Sequence, residues 1–426
     1  MESGADKIAW LKELSGVMTA REVFDQTAAE RARCAAGEFE VERVVSGEVV
    51  TNDSGRFFLA TRRFPVTHPH GNTTLLSARQ TSGNTVAVIS NDERLRSFNV
   101  DRAVFLDTET TGLAGGTGTY AFLVGVGHFD AGSFVLRQYF MRDYDEEEAM
   151  LLPLAELFQD AEAVVTYNGK AFDIPLLQTR FITARVRIDL EDLPHLDLLH
   201  VARRLWRARL RDCSLANVER EALEVTRHGD IPSYLIPQVY FDYLRTRDAR
   251  RLGAVFYHNQ QDVLSLAGVV SRAAQLANAP PDLIEAPALD LLSLARLHFR
   301  QRQYHLSERL ASEAYDLGLD ADASRIALYV LALSLKRQHR WDEAHAVWCR
   351  LAKQWPHDIA SRVEMAKHLE HRERDLAQAR IVCERIVEVA SNIEVGETRV
   401  EAFRYRLARI ERKIQTRRVD KPLSRS

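Results

Sequence analysis

The segment AVFLDTETTG, residues 103–112, places two acidic residues at the end of an apolar run. The run is typical of a strand buried in a core. Side chains two residues apart on a strand point to the same face, so Asp107 and Glu109 are expected side by side. Two carboxylates in that position need solvent, a cationic partner or a metal ion. The segment therefore predicts an acidic site at the end of a buried strand.

Two further acids occur in positions that could join this pair. Asp173 ends the segment VVTYNGKAFD, in which a strand leads into an Asn-Gly turn, and Asp262 follows YHNQQ at the start of an apolar helical run. Four converging carboxylates repel one another strongly unless divalent cations neutralise them. Oxygen ligands favour Mg²⁺ or Mn²⁺ over zinc. The sequence therefore predicts a metal site built from all four acids.

Composition limits the class of protein. The chain has 426 residues, of which 46% are hydrophobic and 27% charged, as in a folded protein of two or three domains. We find neither an apolar run of the roughly 18 to 20 residues that cross a bilayer nor a signal peptide pattern, so we expect a cytoplasmic protein without a membrane partner. The four cysteines are scattered and predict no disulfide framework. A net charge of −3 means that any nucleic-acid binding must come from a local patch.

The texture of the sequence changes along the chain and predicts an α/β part followed by an all-α part. Residues 1–98 are expected to form a small β-rich N-terminal extension, with NTVAVI, residues 84–89, as one of its strand-like segments. Residues 99–276 alternate strand and helix patterns, which predicts a mixed sheet covered by helices. A proline-containing linker follows, then helical repeats at 286–415 and a basic, disordered tail at 416–426.

The helical part repeats with the spacing of a 34-residue tetratricopeptide unit. Small residues at fixed positions let paired helices approach closely, while large residues fill the gap to the next pair. One clear copy of the repeat has Leu331, Ala332, Ala344, Trp348 and Pro356 at these positions. A looser copy before it has Leu294, Ala295 and Tyr304, and another after it has Ala366 and Ala379. Such repeats commonly bind peptides on their concave face, so we expect a protein partner.

The motifs DTETTG, NGKAFD and HNQQD resemble the three exonuclease motifs of the four-acid (DEDD) ribonuclease H-like superfamily. The wider run over residues 98–275 resembles the YprB-type branch, which joins such a domain to tetratricopeptide repeats. The resemblance implies a ribonuclease H-like fold and a site for two Mg²⁺ or Mn²⁺ ions. It also implies a 3′-5′ exonuclease acting on single-stranded DNA or RNA. By motif position, the metal ligands would be Asp107, Glu109, Asp173 and Asp262.

A fifth group usually orients the attacking water, and here the sequence departs from the family patterns. One group of the superfamily has Tyr four residues before the last Asp, and another has His five residues before it. This chain has His258 four and Tyr257 five residues before Asp262. Histidine is the side chain that accepts a proton near neutral pH, so His258 is the favoured candidate and Tyr257 the alternative.

Substrate contacts are expected from the motifs and from one basic run. Thr108 and Asn168 lie inside the first two motifs. The run ARRLWRARLR, residues 202–211, would place Arg203 and Arg207 one turn apart on a helix, where they could bind successive phosphates. The alternative for this run is an ordinary solvated helix face.

Other interpretations stay open. Asp197 either supports the acidic site or starts a helix. His68 and His70 could bind a metal ion, but the favoured interpretation is that they belong to a turn. The whole chain could instead be a catalytically silent adaptor that binds nucleic acid and recruits protein partners through its repeats. A metal-dependent phosphohydrolase of nucleotides is a third possibility.

Overall fold

The computed structural model of the protein describes residues 28–34, 36–112, 118–279, 284–392 and 396–419. The first 27 residues of the predicted N-terminal extension and residues 420–426 of the predicted tail lie outside this range. The described residues form two compact units. One is drawn from Met1–Ala202 and Asp212–Gln275, and the other from Arg203–Arg211 and Leu276–Ser426.

A mixed sheet is the centre of the first unit, as predicted. Its strands are β1 (Glu48–Asn52), β2 (Gly55–Pro65), β5 (Ala103–Thr110), β6 (Ala121–Asp130), β7 (Ser133–Phe140), β8 (Ala163–Thr166) and β9 (His195–Asp197), and β3 (Pro69–His70) with β4 (Thr73–Thr74) forms a separate hairpin. The sheet order is β1-β2-β7-β6-β5-β8-β9. β5 is antiparallel to β6 and parallel to β8. Because β5 and β8 are parallel, their carboxyl ends lie at the same edge of the sheet.

The N-terminal strands extend this sheet, since β2 pairs with β7 over residues 58–65. The helices that precede the central strands include α1 (Val41–Val44), α2 (Leu75–Arg79) and α3 (Gly83–Ser90). One predicted strand is wrong, because NTVAVI lies in α3. The Ser82 hydroxyl caps α3 by accepting a hydrogen bond from the Thr85 amide at 3.2 Å. Val86 and Ile89 are fully buried. The cap and the burial outweigh the strand preference of the β-branched residues.

Helices cover the sheet. They are α4 (Glu147–Gln159), α5 (Asp173–Thr183), α6 (Leu198–Leu205), α8 (Leu215–Val218), α9 (Ile236–Thr246) and α10 (Leu252–Asn278). Helix α7 (Arg207–Leu210) follows α6 in the chain and belongs to the second unit. Short 3₁₀ helices occur at Glu93–Ser97, Val100–Arg102, Tyr144–Glu146 and Ser233–Leu235, and a π-helical turn at Glu219–Leu223. Aromatic rings join α9 to the sheet, where Phe122 and Tyr240 stack at 4.0 Å between ring centroids. This contact holds the sheet and its helical cover in one core.

The second unit is helical, as predicted. Beyond the linker it contains α11 (Ala288–Arg300), α12 (Tyr304–Asp316), α13 (Ala321–Arg337), α14 (Trp341–Gln354), α15 (Ile359–His368), a π-helical turn (Leu369–Glu373), α16 (Leu376–Asn392) and α17 (Glu397–Val419). Each helix packs against the next. The small residues expected at helix contacts are buried, among them Ala332, Ala344 and Ala366. The assignment of these repeats to the tetratricopeptide type stays a prediction.

The helices of both units were compared by length and apolar character with the requirements of a bilayer. Within the described ranges, none combines the length and the apolar character that a bilayer crossing requires.

Candidate active site at the end of strand β5

The four predicted acids converge at one edge of the sheet. Asp107 and Glu109 occupy the carboxyl end of β5, Asp173 begins α5 directly after the β8 turn, and Asp262 faces them from α10. Burial raises the pKa of Asp107 well above its usual range, and the nearby carboxylates of Asp262, Glu109 and Asp173 raise it further. The sequence prediction that these acids lie together therefore agrees with their placement.

Glu109 is the least compensated of the four. Its side chain is buried, and Oε1 lies in the interior without a hydrogen-bond partner among the described residues. Burial, followed by the charges of Asp262 and Asp173, raises its pKa well above the usual range. A buried carboxylate oxygen without a donor costs free energy, so this atom points to a cationic ligand.

Two of the other carboxylates are held by neutral side chains. The Thr108 hydroxyl donates to Asp173 Oδ1 at 2.6 Å, and the Asn259 amide donates to Asp107 Oδ2 at 2.9 Å. Burial still raises the pKa of Asp173 to about 6, against the lowering effect of the Thr108 bond. Thr108, predicted as a substrate contact, thus also positions Asp173.

Asn259 was not predicted as a site residue, and it is oriented by a chain of contacts. Gln138 Nε2 donates to Asn259 Oδ1 at 2.9 Å and to the Phe256 carbonyl at 2.8 Å. Gly125 pairs with Asp107 across β5 and β6. A Cβ atom at Gly125 would lie 2.1 Å from Asn259 Oδ1, so only glycine leaves room for this amide.

Arg227 is the second residue that the sequence did not reveal. Its guanidinium group forms ion pairs with Asp262, Glu219 and Asp230. Nε donates to Glu219 Oε2 at 2.8 Å. Burial raises the pKa of Glu219, while the hydrogen bond from Arg227 lowers it. One largely buried cation thus serves three carboxylates, while Oε1 of Glu109 has no hydrogen-bond partner among the described residues.

His258 lies against Asp262, on the side of the site that faces Asp230. Its Nδ1 is 2.9 Å from Asp230 Oδ1, and its Nε2 is 3.2 Å from Ser233 Oγ and 3.6 Å from Asp262 Oδ2. Tyr257 lies one residue earlier on α10, rotated by about 100° around the helix axis. The carboxylate of Asp230 fixes the His258 ring, a partner that the sequence did not predict.

A cavity of about 420 Å³ opens beside Asp107 and Asp173. Thr108 and Asn168, both predicted substrate contacts, are among its lining residues. Phe172 also lines it, and its side chain is 56% exposed. The cavity therefore combines acids, small polar groups and an accessible aromatic ring.

Asp197 organises the loop that carries Asn168 and Asp173. Its carboxylate accepts hydrogen bonds from the backbone amides of Asn168 at 2.8 Å, Lys170 at 3.2 Å and Leu199 at 3.0 Å. Asn168 adopts a left-handed conformation, with φ of 65°. Both earlier interpretations of Asp197 thus apply, because it caps the start of α6 and supports the acidic site.

Arg203 and Arg207 do not share the helix that the sequence suggested. The helical path is interrupted at the buried Trp206, which separates α6 from α7. Both arginines are exposed, belong to the second unit, and are not lining residues of the cavity beside Asp107.

We next considered whether these residues could hold a metal ion. In their present orientations, no three His, Cys, Asp or Glu side chains of the described residues form a group that could hold one. The donor set nonetheless fits a hard divalent cation, because it consists of carboxylate oxygens and includes the partnerless Oε1 of Glu109. Asn259 donates to Oδ2 of Asp107 and Arg227 to Oδ1 of Asp262, so each of these carboxylates keeps a second oxygen that could bind an ion.

Comparison with known proteins identifies the family of the chain. A family model described as the RNase_H superfamily matches residues 104–274, which places the first unit in that class. The chain is 34% identical over 326 residues to the uncharacterized protein YprB of Bacillus subtilis (strain 168), covering 75% of this chain and 76% of that protein. The chain therefore belongs to the YprB family, and its first unit carries a ribonuclease H-like domain.

Proposed function

We propose that this protein is a divalent-metal-dependent nuclease, and more narrowly a 3′-5′ exonuclease that hydrolyses single-stranded DNA or RNA. The observation that carries the proposal is the convergence of four buried or half-buried carboxylates, one with a partnerless oxygen, at the end of β5. Membership of the ribonuclease H superfamily supports nuclease chemistry. The direction of digestion rests on the resemblance of the three motifs alone.

In this proposal Asp107, Glu109, Asp173 and Asp262 would hold two Mg²⁺ or Mn²⁺ ions. When bound, such ions supply a water nucleophile at neutral pH and stabilise the negative charge of the leaving 3′ oxygen. Thr108 keeps the Asp173 carboxylate turned toward the site through its 2.6 Å hydrogen bond. The cavity beside Asp107 and Asp173 would admit the terminal nucleotide, with Thr108 and Asn168 at its wall.

His258 would take the proton from the attacking water. Asp230 lies 2.9 Å from Nδ1 and favours the tautomer with hydrogen on that atom, which leaves Nε2 as the proton acceptor. Nε2 is the nitrogen that faces Asp262, at 3.6 Å. This geometry favours His258 over Tyr257 as the general base.

Arg203 and Arg207 are proposed to contribute to binding of the strand through its phosphates. Both are exposed, so replacing both with glutamine should weaken strand binding and reduce its salt dependence without unfolding the protein. Binding measured by anisotropy over a range of salt concentrations tests this role separately from cleavage.

The test of the proposed function is digestion of single-stranded DNA and RNA labelled at either the 3′ or the 5′ end, with Mg²⁺, with Mn²⁺ and with chelator. We expect metal-dependent shortening from the 3′ end. Asp107→Asn should abolish it. The matched control is Asp130→Asn, which removes an exposed acid at the end of the neighbouring strand β6 and should retain full activity.

Two other outcomes would replace the proposal. If the wild-type chain binds the strand with metal present and leaves it uncut, the protein is the silent adaptor. If it hydrolyses nucleotides and dinucleotides but leaves longer strands intact, it is a phosphohydrolase. In either case the first variant to test would exchange the residues at positions 257 and 258, because the order of Tyr257 and His258 departs from the family patterns.

A further inference from the structure

The second unit contains a cavity of about 280 Å³ between helices α13 and α17. Its wall is rich in cations, with Lys336, Lys367, Arg372, Arg406 and Arg409. Part of the remaining wall is aromatic, from Trp341 and Trp348. The cavity lies entirely within one unit and involves none of the acids at the end of β5.

Two carboxylates lie among these cations, but their negative charge does not balance the positive charge of the cations. Glu364 pairs with Lys336 and, at 2.7 Å, with Lys367. Glu370, whose side chain is fully buried, accepts from Arg409 at 2.6 Å and from Lys413 at 2.7 Å. Each of these carboxylates therefore faces more than one positive charge, and the wall keeps a cationic excess.

A third cation approaches Glu370 without reaching it. Arg406 Nη1 lies 3.6 Å from Glu370 Oε2, beyond hydrogen-bond distance. The guanidinium of Arg372 instead lies over the Trp341 ring at 4.1 Å. Both side chains thus keep hydrogen-bonding capacity close to the cavity.

Three buried donor or acceptor atoms of the lining residues lack any hydrogen-bond partner among the described residues. They are Arg406 Nη1, Arg409 Nε and His345 Nδ1. Unsatisfied buried N–H groups are rare in folded proteins because each one costs free energy. The two arginine nitrogens are N–H donors, and their position at one cavity is a separate observation from the excess charge. Both observations point to an anionic ligand.

We propose that this cavity binds a carboxylate of an acidic peptide segment from a protein partner. Glu370 provides the internal precedent, because it is a carboxylate held by the same set of cations. A volume of about 280 Å³ admits a side chain or chain terminus. The exposed part of Trp341 offers an apolar surface for the residue beside that carboxylate.

The experiment measures fluorescence anisotropy of a short labelled peptide of Gly, Ser, Leu, Asp and Glu with a free carboxyl terminus, added to the full chain. Its Asn/Gln analogue with an amidated terminus is the uncharged comparison. We expect the acidic peptide to bind, with an affinity that falls as salt rises, and the analogue not to bind. Arg406→Gln should weaken binding about tenfold.

The matched control is Arg412→Gln, which removes an exposed charge from the same helix and should leave binding unchanged. Arg409 and Lys413 still hold Glu370 in Arg406→Gln, so this variant should remain folded. If thermal unfolding shows otherwise, Lys367→Gln takes its place, since Lys367 lines the cavity and is 42% exposed.

Three results would overturn the proposal. The first is equal binding of the acidic peptide and its uncharged analogue. The second is equal weakening by Arg406→Gln and Arg412→Gln. The third is displacement of the acidic peptide by oligo-dT or by a phosphoserine peptide at far lower concentration than by unlabelled acidic peptide, which would assign the cavity to phosphate. None of these measurements depends on nuclease activity.

Discussion

Asp107 lies where its own charge is unfavourable, because burial and three neighbouring acids all oppose ionisation. Replacing it with asparagine removes that charge and keeps the shape of the side chain. In chelator we expect Asp107→Asn to raise the free energy of unfolding by about 1 kcal/mol. Urea denaturation at neutral pH measures this change.

The control for this prediction is Asp130→Asn. Asp130 is about half exposed and pairs with Arg63 at the surface, so its loss should change stability by no more than about 0.5 kcal/mol. A less stable Asp107→Asn protein would mean that the hydrogen bond from Asn259 outweighs the repulsion between the carboxylates.

Arg227 should matter more for stability than any other cation of the first unit's acidic site. Without it, Glu219, whose side chain is only 3% exposed, would keep a buried charge with no cation beside it. We expect Arg227→Gln to cost about 3 kcal/mol in the free energy of unfolding. Adding Glu219→Gln should recover part of that loss, because the stranded charge is then removed as well.

A double-mutant cycle on Arg227 and Glu219 separates the interaction energy between the two residues from the separate effect of each substitution on stability. Arg220→Gln is the matched control, because Arg220 is 66% exposed and its pair with Glu221 lies at the surface. Additive losses from the two substitutions would contradict direct coupling between Arg227 and Glu219.

At the scale of elements, the fit of α10 against β6 decides where Asn259 lies. Gly125→Ala would bring a Cβ atom to 2.1 Å from Asn259 Oδ1 and push the helix or the amide away. We expect a loss of about 2 kcal/mol in stability. Gly253→Ala, in the same helix with open space around it, should be neutral or stabilising by up to about 1 kcal/mol. Equal thermal midpoints for the two variants would show that the site has spare room.

The β3–β4 hairpin is attached to α10 through a buried histidine. His70, the last residue of β3 before the turn, has its Nε2 2.7 Å from Ser265 Oγ of α10. Burial lowers the pKa of His70 from 6.5 to about 4, and the charge of Arg227 adds to that effect. The folded state therefore favours the neutral ring.

This shift gives stability a defined dependence on pH. The contribution of the neutral ring is complete above pH 6.5 and is lost as pH falls toward about 4, because the unfolded chain binds the proton first. The loss should reach up to about 3 kcal/mol. His70→Gln should lack this component, whereas His68→Gln should retain it. Parallel pH profiles for the wild type and His70→Gln, measured by denaturation between pH 7 and 4.5, would contradict the prediction.

Elements built from local pattern were predictable from the sequence. The apolar run of β5 and the two acids at its end follow from strand periodicity, and buried Val104 and Leu106 agree with it. The strand prediction for NTVAVI is wrong because the same β-branched residues also fit a short helix when Ser82 caps its start and its apolar side chains are buried. The interruption at Trp206 was equally hidden, since it depends on burial of that ring.

Residues that enter the site through tertiary contacts could not be predicted. Arg227 reaches Asp262, 35 residues later in the chain, and no motif marks it. Asn259 lies between two motif residues on helix α10, but its role depends on Gly125, which faces it from strand β6. The role of Asp230 depends on the contact between its loop and His258.

For the whole molecule, a net charge of −3 conceals two local fields of opposite sign. The first unit gathers carboxylates at the end of β5, and the second gathers lysines and arginines around its cavity. If both proposals hold, each unit has its own ligand, a divalent cation in one and an acidic peptide in the other. Linkage then predicts that each ligand stabilises the unit that binds it.

Scanning calorimetry of the full chain tests this prediction directly. We expect two transitions, with Mn²⁺ raising only one and the acidic peptide only the other. At a ligand concentration of about 100 times Kd, each gain of about 2.7 kcal/mol corresponds to a shift of roughly 5 to 10 °C. Asp107→Asn should remove the first shift alone and Arg406→Gln the second alone, because their residues lie in different units. A single transition that both ligands raise together would mean that the two units unfold as one, so that neither ligand acts on its own unit alone.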